Sequence, residues 1–369
     1  MRLASRRPHA TPILLATVSL IVGACGTGVP SPTSAPSATP SSASPSTAVT
    51  DDGQIVEAVT AEPSAAGSLP VISATPFSGE SLAPATAATA APRVIPKLPA
   101  RTVTIAAAGD IACDPAFNKN QPQDCDQMAT AALLGQLHPT RVLTLGDNQY
   151  QSGTPAAFAQ VYAPSWGQYK SITLPTIGNH EYLTAGAAGY FGYFAGFGAY
   201  YSVNLGDWHV ISLDSECHYV GGCGVGSAQE KWLRADLAAN PRLCTLVTYH
   251  EPSWSSGQHG DAKQMRAIWA DLVAAHVDVV LSGHNHDYER FAFLNATGAP
   301  DPNGTMEFVV GTGGKNDYAF SAGPLAGEIT RGWGFFGVLS MRLGPSSFSW
   351  NYVPAAGFSF SDSGSASCH

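Results

Sequence analysis

The stretch Arg141-Val142-Leu143-Thr144-Leu145-Gly146-Asp147-Asn148-Gln149-Tyr150 decides the fold: a short apolar run stops on glycine and hands over to a carboxylate, two amides and a phenol. A run of this length bounded by a turn residue reads as a buried strand. Val103 to Ala108 stops in the same way on Gly109-Asp110, and Ile172 to Ile177 stops on Gly178-Asn179-His180-Glu181. Leu243 to Tyr249 delivers His250, and Val277 to Leu281 delivers Ser282-Gly283-His284-Asn285-His286. A single Gly-Asp is a common turn signal and a single histidine is more often structural. Five such loops in series point to a site, because loops on a rigid sheet are where chemical groups are held in place.

Between these strands the pattern changes period. Helical segments are expected at Gln127 to Leu137, Pro155 to Tyr162, Ala228 to Ala238 and Lys263 to Ala275. The third sets Trp232, Leu233 and Leu237 on one face and ends at Asn240-Pro241. Tyr200 to Asn204 and Trp208 to Leu213 read as a hairpin across Leu205-Gly206-Asp207. Gly189 to Tyr201 is expected to be an irregular aromatic loop against the site. Met306 to Val310, Gly337 to Leu343 and Phe348 to Val353 read as antiparallel strands. Strands alternating with helices, then strands alone, imply a mixed α/β (α+β) domain and not a doubly wound parallel sheet.

The 369 residues divide by composition into three parts. Residues 1–25 combine Arg2, Arg6 and Arg7 with a short apolar run ending in Val22-Gly23-Ala24-Cys25. That run is too short for a bilayer span, which needs about 20 apolar residues, and reads as an export signal. Its end resembles a bacterial lipobox, so membrane contact is expected only through a lipid anchor on Cys25; an ordinary cleaved signal is the alternative. Residues 26–100 are rich in Pro, Ser, Ala and Thr with one aromatic, Phe77, and are expected to be a disordered tether. Residues 101–369 form the expected catalytic domain. No basic block occurs, so a nucleic-acid partner is excluded and a small phosphorylated substrate is expected.

Apart from Cys25 there are six cysteines: Cys113, Cys125, Cys217, Cys223, Cys244 and Cys368. Six allow fifteen pairings. No C-x-x-C occurs, so disulfides are favoured over thiolate metal sites. The expected pairs are Cys113 with Cys125 and Cys217 with Cys223, leaving Cys244 for Cys368.

Two adjacent metal ions can clamp the attacking and leaving oxygens of a phosphoryl transfer, and the strand-end residues have the types such a pair needs. As a set, Gly-Asp, Gly-Asp-x-x-Tyr, Gly-Asn-His-Glu, His and Gly-His-x-His resemble the calcineurin-like metallophosphoesterases. Asp147-x-x-Tyr150, and Gly283-His284-x-His286 followed by Tyr288-Glu289-Arg290, look like the purple acid phosphatase branch. The resemblance spans roughly Val103 to Arg290 and implies a β-sandwich flanked by helices. It implies that Asp110, Asp147, Tyr150 and His286 hold a first metal. Asp147 would bridge to a second, completed by Asn179, His250 and His284. Carboxylate and phenolate oxygens suit a trivalent ion and imidazoles a divalent one, so Fe(III) is expected first and Fe(II), Zn or Mn second. His180 would face substrate oxygens, with Glu181 orienting it or its neighbours. His259, in the loop after His250, would contact phosphate or protonate the leaving group.

The activity so implied is phosphomonoester hydrolysis of the acid phosphatase kind by a hydroxide held between two metals. The alternatives are a phosphodiesterase or nucleotidase using the same residues, and a non-catalytic surface-binding lipoprotein. His209, His218 and His276 have no ligand neighbours in sequence and read as structural. Ile111-Ala112 stands where that branch has a second glycine, and Glu251 places a carboxylate beside His250 with two readings, weaker binding of dianionic esters or a side chain turned away. Gly311-Thr312-Gly313-Gly314-Lys315 lacks the P-loop spacing and reads as a tight turn near the site rim.

Overall fold

Val103–Ala108 (β3), Arg141–Leu145 (β4) and Thr173–Thr176 (β5) pair in parallel. Every residue of β4 and β5 is buried, as expected for parallel strands covered on both faces. Gly337–Leu343 (β13), Ser347–Pro354 (β14) and Ser363–Ser367 (β15) add antiparallel strands, giving the order β15-β14-β13-β3-β4-β5. In this computed structural model residues 102–116 and 125–369 are described, together with a ribbon of Ala48–Val49 (β1) and Ile55–Val56 (β2). The expected signal over 1–25, with Cys25, and the tether over 26–100 lie outside the described residues, the ribbon excepted.

The second sheet contains Tyr201–Leu205 (β6), Trp208–Ser212 (β7), Cys244–Thr248 (β8) and Val279–Ser282 (β9). Tyr288–Leu294 (β10), Thr305–Val310 (β11) and Glu328–Gly332 (β12) complete it in the order β12-β10-β11-β9-β8-β7-β6. Here β7, β8, β9 and β11 run parallel. One core joins the facing sides of the sheets. Ile105, Leu143 and Met341 of the first meet Leu246, Leu281 and Phe308 of the second, all fully buried. Each such side chain contributes about 1.5–3 kcal/mol by leaving water. Buried hydroxyls also cross between sheets: Thr176 Oγ1 lies 2.8 Å from Thr248 Oγ1 and 3.0 Å from Ser212 Oγ.

Ala228–Ala239 (α5) and Arg266–Ala274 (α6) cover the outer face of the second sheet with Leu233, Ile268, Trp269 and Leu272. Ser227 caps α5, its Oγ accepting from Glu230 N. Gln127–Leu137 (α1) packs on the first sheet. The expected helix from Pro155 is short, Pro155–Ala157 (α2), and continues as a wider π turn over Phe158–Tyr162. The one from Lys263 opens as a 3-10 turn, Lys263–Met265.

Three expectations need correction. Met306 to Val310, expected as an antiparallel strand, pairs antiparallel with β10 but parallel with β9, where it extends the run β7-β8-β9. The aromatic stretch from Gly189 is not wholly irregular: Ala188–Tyr193 (α4) is helical, because Phe194 is buried against Phe158 and Tyr162, and Tyr190 against Phe194. β10, β12 and β15 were not anticipated. β15 has no apolar pattern; it pairs with β14 and is followed by Cys368, which bonds Cys244.

All three expected disulfides are present, with Cα separations of 5.7, 5.2 and 5.4 Å. Cys244–Cys368 spans 124 residues and ties the last strand to the start of β8. Replacing both cysteines by serine is expected to lower the urea unfolding free energy by about 2–5 kcal/mol. An unchanged midpoint and slope would show that the chain terminus is held by β-pairing alone.

Candidate metal centre

The five loops leave the carboxyl ends of β3, β4, β5, β8 and β9, the edge where open α/β sheets place their ligands. Backbone bonds lace the first two together. Asp110 N donates to Gly146 O, Ile111 N to Asp147 O at 3.0 Å, Ala112 N to Asn148 O, and Tyr150 N back to Ala112 O at 2.8 Å. Ile111-Ala112, in place of a second glycine, therefore continues a strand-like track beside the Asp147 loop.

The seven residues singled out as ligands come together. Tyr150 Oη lies 2.8 Å from Asp110 Oδ1, 2.8 Å from Asp147 Oδ2 and 3.0 Å from His286 Nε2. His286 Nε2 is 3.3 Å from Asp110 Oδ1. On the other side of Asp147, His250 Nε2 lies 3.3 Å from Asp147 Oδ2 and 3.0 Å from Asn179 Oδ1. The His284 ring is 5.1 Å from the His250 ring, and its backbone N donates to Asp110 Oδ2 at 2.9 Å. Donors bonded at about 2.1 Å to one octahedral ion sit about 3.0 Å apart, so this spacing fits a cation on each side of Asp147.

Backbone carbonyls select the tautomers. His250 Nδ1 faces Leu145 O at 2.8 Å and His286 Nδ1 faces Asn316 O at 2.6 Å. With the proton on Nδ1, each Nε2 lone pair points at the cluster, the second contact that metal-binding histidines usually have. His180 Nδ1 faces Gln151 O at 2.6 Å, its ring centroid lies 4.2 Å from that of Tyr150, and its Nε2 is 3.7 Å from Asp147 Oδ2. His259 is held through its backbone N, which donates to Asn285 Oδ1 at 2.7 Å, with its ring 4.8 Å from His284. His209 is structural: its nitrogens meet Asn204 and Asp236.

The charges follow from these contacts. Burial opposes ionisation of Asp147, but His250 and His180 outweigh it and hold the carboxyl well below the usual range. Desolvation, then the neighbouring His250 and His259, keeps His284 neutral, the form that binds metal. Burial, then the Asp110 and Asp147 carboxylates, pushes the Tyr150 phenol upward, so a phenolate there requires added positive charge.

Buried acids organise the loops. Glu181 accepts from Gly178 N at 2.9 Å and Gln149 N at 3.0 Å, joining two ligand loops. Glu307 accepts from Ser253 N and Trp254 N, and Glu289 from Ser256 N, fixing the segment between His250 and His259. Glu251 turns toward Gln264 and Glu216. Sequence reasoning missed Asp214, Lys315 and Tyr318. Asp214 binds Tyr182, Lys315 Nζ lies 5.4 Å from the Tyr150 ring centroid, and Tyr318 stacks on His286 at 4.3 Å. No local pattern marks Asp214 or Tyr318, and Lys315 was read only as the end of the Gly311 turn near the site rim. The Gly311-Gly314 turn does border the site: a Cβ at Gly311 would lie 1.9 Å from Asn285 O. A cavity of about 690 Å³ beside Thr245, His276 and His369 sits at the opposite strand ends and holds none of these ligands.

Gly146 has φ +87°, and a Cβ there would lie 2.3 Å from His250 Nδ1. Gly146→Ala is expected to displace His250 and weaken metal binding about 10–100-fold, the scale of a lost supporting contact. Metal content after equilibrium dialysis, beside an unchanged far-UV spectrum, checks it.

Burial first raises Asp214 to about 7, Glu289 to about 7 and Glu307 to about 8. Unfolded, they ionise near 4, so between about pH 4.5 and 8 the native state holds more protons and stability falls as pH rises. The chelator-treated chain is expected to melt several degrees lower at pH 8 than at pH 5. A flat thermal profile would contradict these shifts.

Residues 103–288 match the calcineurin-like phosphoesterase family. Purple acid phosphatase 21 of Arabidopsis thaliana is 36% identical over 124 residues, covering 32% of this chain and 27% of the relative. Purple acid phosphatase 23 of the same plant is 29% identical over 234 residues, covering 50% of each. The chain thus spans from about a quarter to half the length of these relatives. Among solved structures, a purple acid phosphatase from yellow lupin (Lupinus luteus) seeds superposes with a TM-score of 0.59 at 19% identity, covering 73% of this chain and 55% of that one. This last likeness concerns the fold alone. With its two mixed sheets and matched motif region, the chain belongs to the calcineurin-like phosphoesterase family, in its purple acid phosphatase-like branch.

Proposed function

We propose that this chain is an exported, lipid-anchored phosphomonoesterase. The observation that carries the hydrolytic reading is the position of Asp147, whose Oδ2 stands 2.8 Å from Tyr150 Oη and 3.3 Å from His250 Nε2. One carboxylate thereby adjoins two complete donor sets. Asp110, Tyr150 and His286 would hold one ion with it, and Asn179, His250 and His284 the other; Fe(III) is proposed for the phenol side and Fe(II), Zn or Mn for the imidazole side. Two such ions, when bound, supply Lewis acidity to water and to phosphoryl oxygens.

The protein's own groups do the rest. The Gln151 carbonyl accepts from His180 Nδ1 and fixes the ring, so that an imidazolium there would present its Nε2–H to a phosphoryl oxygen as charge builds, where electrostatic stabilisation is usually the largest catalytic effect. His259, half-exposed beside His284, is positioned to protonate the departing alkoxide. Export and the anchor on Cys25 rest on the basic start, short apolar run and Ala24-Cys25 end of residues 1–25.

Asp147→Asn and His284→Ala are each expected to lose metal and turnover together by more than about 100-fold, beyond what a supporting contact costs. Metal analysis beside hydrolysis of a monoester and a diester checks this. Full activity with full metal content in either variant would overturn the assignment, and a diester preference would replace monoesterase by diesterase. Iron-loaded protein is expected to show a visible phenolate-to-iron band that Tyr150→Phe removes.

A further inference from the structure

The rim beside Asn179 and His250 carries two rings that hydrolysis does not use. Tyr182 and Tyr219 lie face to face, with centroids 3.8 Å apart and planes within 2°. Tyr182 ends the one-turn helix Asn179–Tyr182 (α3), three residues after Asn179, so both leave the same side of that turn. Tyr219 stands in a short loop closed by the Cys217–Cys223 disulfide. The loop is tightened further by Tyr219 N donating to Glu216 O and Gly222 N to Cys217 O, 2.8 and 2.7 Å.

One buried carboxylate joins the Tyr182 ring to the foot of the loop that carries Tyr219. Asp214 Oδ2 accepts from Tyr182 Oη at 2.5 Å, and Oδ1 accepts from Glu216 N at 2.8 Å at the foot of the loop. Asp214 is itself fixed by Gln229, which bonds its backbone N–H and C=O, each at 2.8 Å. The same segment is joined to the metal centre, because Glu251 N, next to His250, donates to Ser215 Oγ at 3.0 Å. A ring pair serving only to fill a core would be hidden. Tyr219 remains 53% exposed although Tyr182 covers one face and the His218 ring crosses it at 77° with centroids 5.3 Å apart, so much of the ring still meets solvent.

We propose that Tyr219, backed by Tyr182, is a stacking platform for the flat ring of the leaving group, so that the substrates are phosphate esters of aromatic alcohols or nucleosides. This rests on the hydrolase reading above and names its substrate class. Asp110, Asp147, Tyr150 and His250 are at most 2% exposed, whereas Asn179, His259 and His284 are half-exposed. The phosphoryl group therefore enters from the side on which Asn179 lies, the side that Tyr182 flanks one helical turn further along α3. A ring already held rigid by a disulfide and a buried carboxylate loses little entropy when a ligand stacks on it.

The test uses the metal-loaded full chain with adenosine 5′-monophosphate, phenyl phosphate and glycerol 1-phosphate. Tyr219→Ala is expected to lose about tenfold in kcat/KM on the ring-bearing esters, mainly through KM, the scale of one base–aromatic stack. Glycerol 1-phosphate turnover should be unchanged, and Tyr219→Phe should keep the wild-type ratios. A loss on the nucleotide alone assigns nucleosides; a loss on phenyl phosphate alone assigns aryl esters. Equal losses on all three esters, or none, would overturn the platform. If the wild type hydrolyses none of them, the monoesterase reading fails and binding decides the platform separately. Adenosine binding that weakens about tenfold in Tyr219→Ala would support it, and absent or equal binding would end it.

Discussion

The contact on which the site depends is the one Asp147 makes in two directions. Its Oδ2 faces the Tyr150 phenol and the His250 imidazole, and its Oδ1 accepts from His180 N at 3.0 Å. Those partners come from β4, β5 and β8, strands of two different sheets. Bringing them to one carboxylate needs sharp turns, and the backbone registers the need. Asp110, Asp147 and His284 have φ of 58°, 42° and 68°, left-handed values on residues that carry a Cβ. Such a conformation costs about 1–2 kcal/mol per residue. It persists only where surrounding structure over-determines it, which is commonest at functional sites.

That surrounding structure is largely buried carboxylate. Glu181 bonds the loops after β4 and β5 to each other, while Glu289 and Glu307 bond the segment after β8 to β10 and β11. Apolar residues in these places would pack without a desolvation cost, but could not direct a loop N–H to one position. Breaking such a buried network by removing one partner costs far more than the network contributes over an apolar replacement. The same acids give the native state its preference for protons, so the fold they brace is more stable on the acidic side of neutrality.

Where each ligand loop interrupts an apolar run, the sequence was readable. Leu145-Gly146-Asp147 and Ile177-Gly178-Asn179 mark both the strand end and the group it delivers. Helix α5 was readable because Trp232, Leu233 and Leu237 share a face and Asn240-Pro241 stops it. β15 was not, since Ser363-Gly364-Ser365-Ala366-Ser367 has no apolar alternation and is fixed by β14 and the Cys368 bond. β10 follows the last ligand so closely that Tyr288-Glu289-Arg290 read as motif rather than strand, although Glu289 pairs with Val309 and Arg331 in the sheet. Asp214 and Tyr219 were hidden for another reason. Their roles come from partners 32 and 37 residues away, and no local pattern encodes a stack on Tyr182.

The two halves of the site therefore stand in different surroundings, which bears on what the fold can do. The phenol side is closed: Asp110 and Tyr150 are fully buried, His286 is capped by the Tyr318 ring, and the Gly311 turn leaves no room above Asn285. A closed, oxygen-rich pocket favours a hard ion of high charge and shields it from exchange. The imidazole side is open at Asn179, His259 and His284, so exchangeable ligands must approach there. Selectivity among esters then cannot come from the buried side, whose donors are the same for any phosphoryl group. It has to come from the rim, where the disulfide loop and the segment after His250 are the elements within reach.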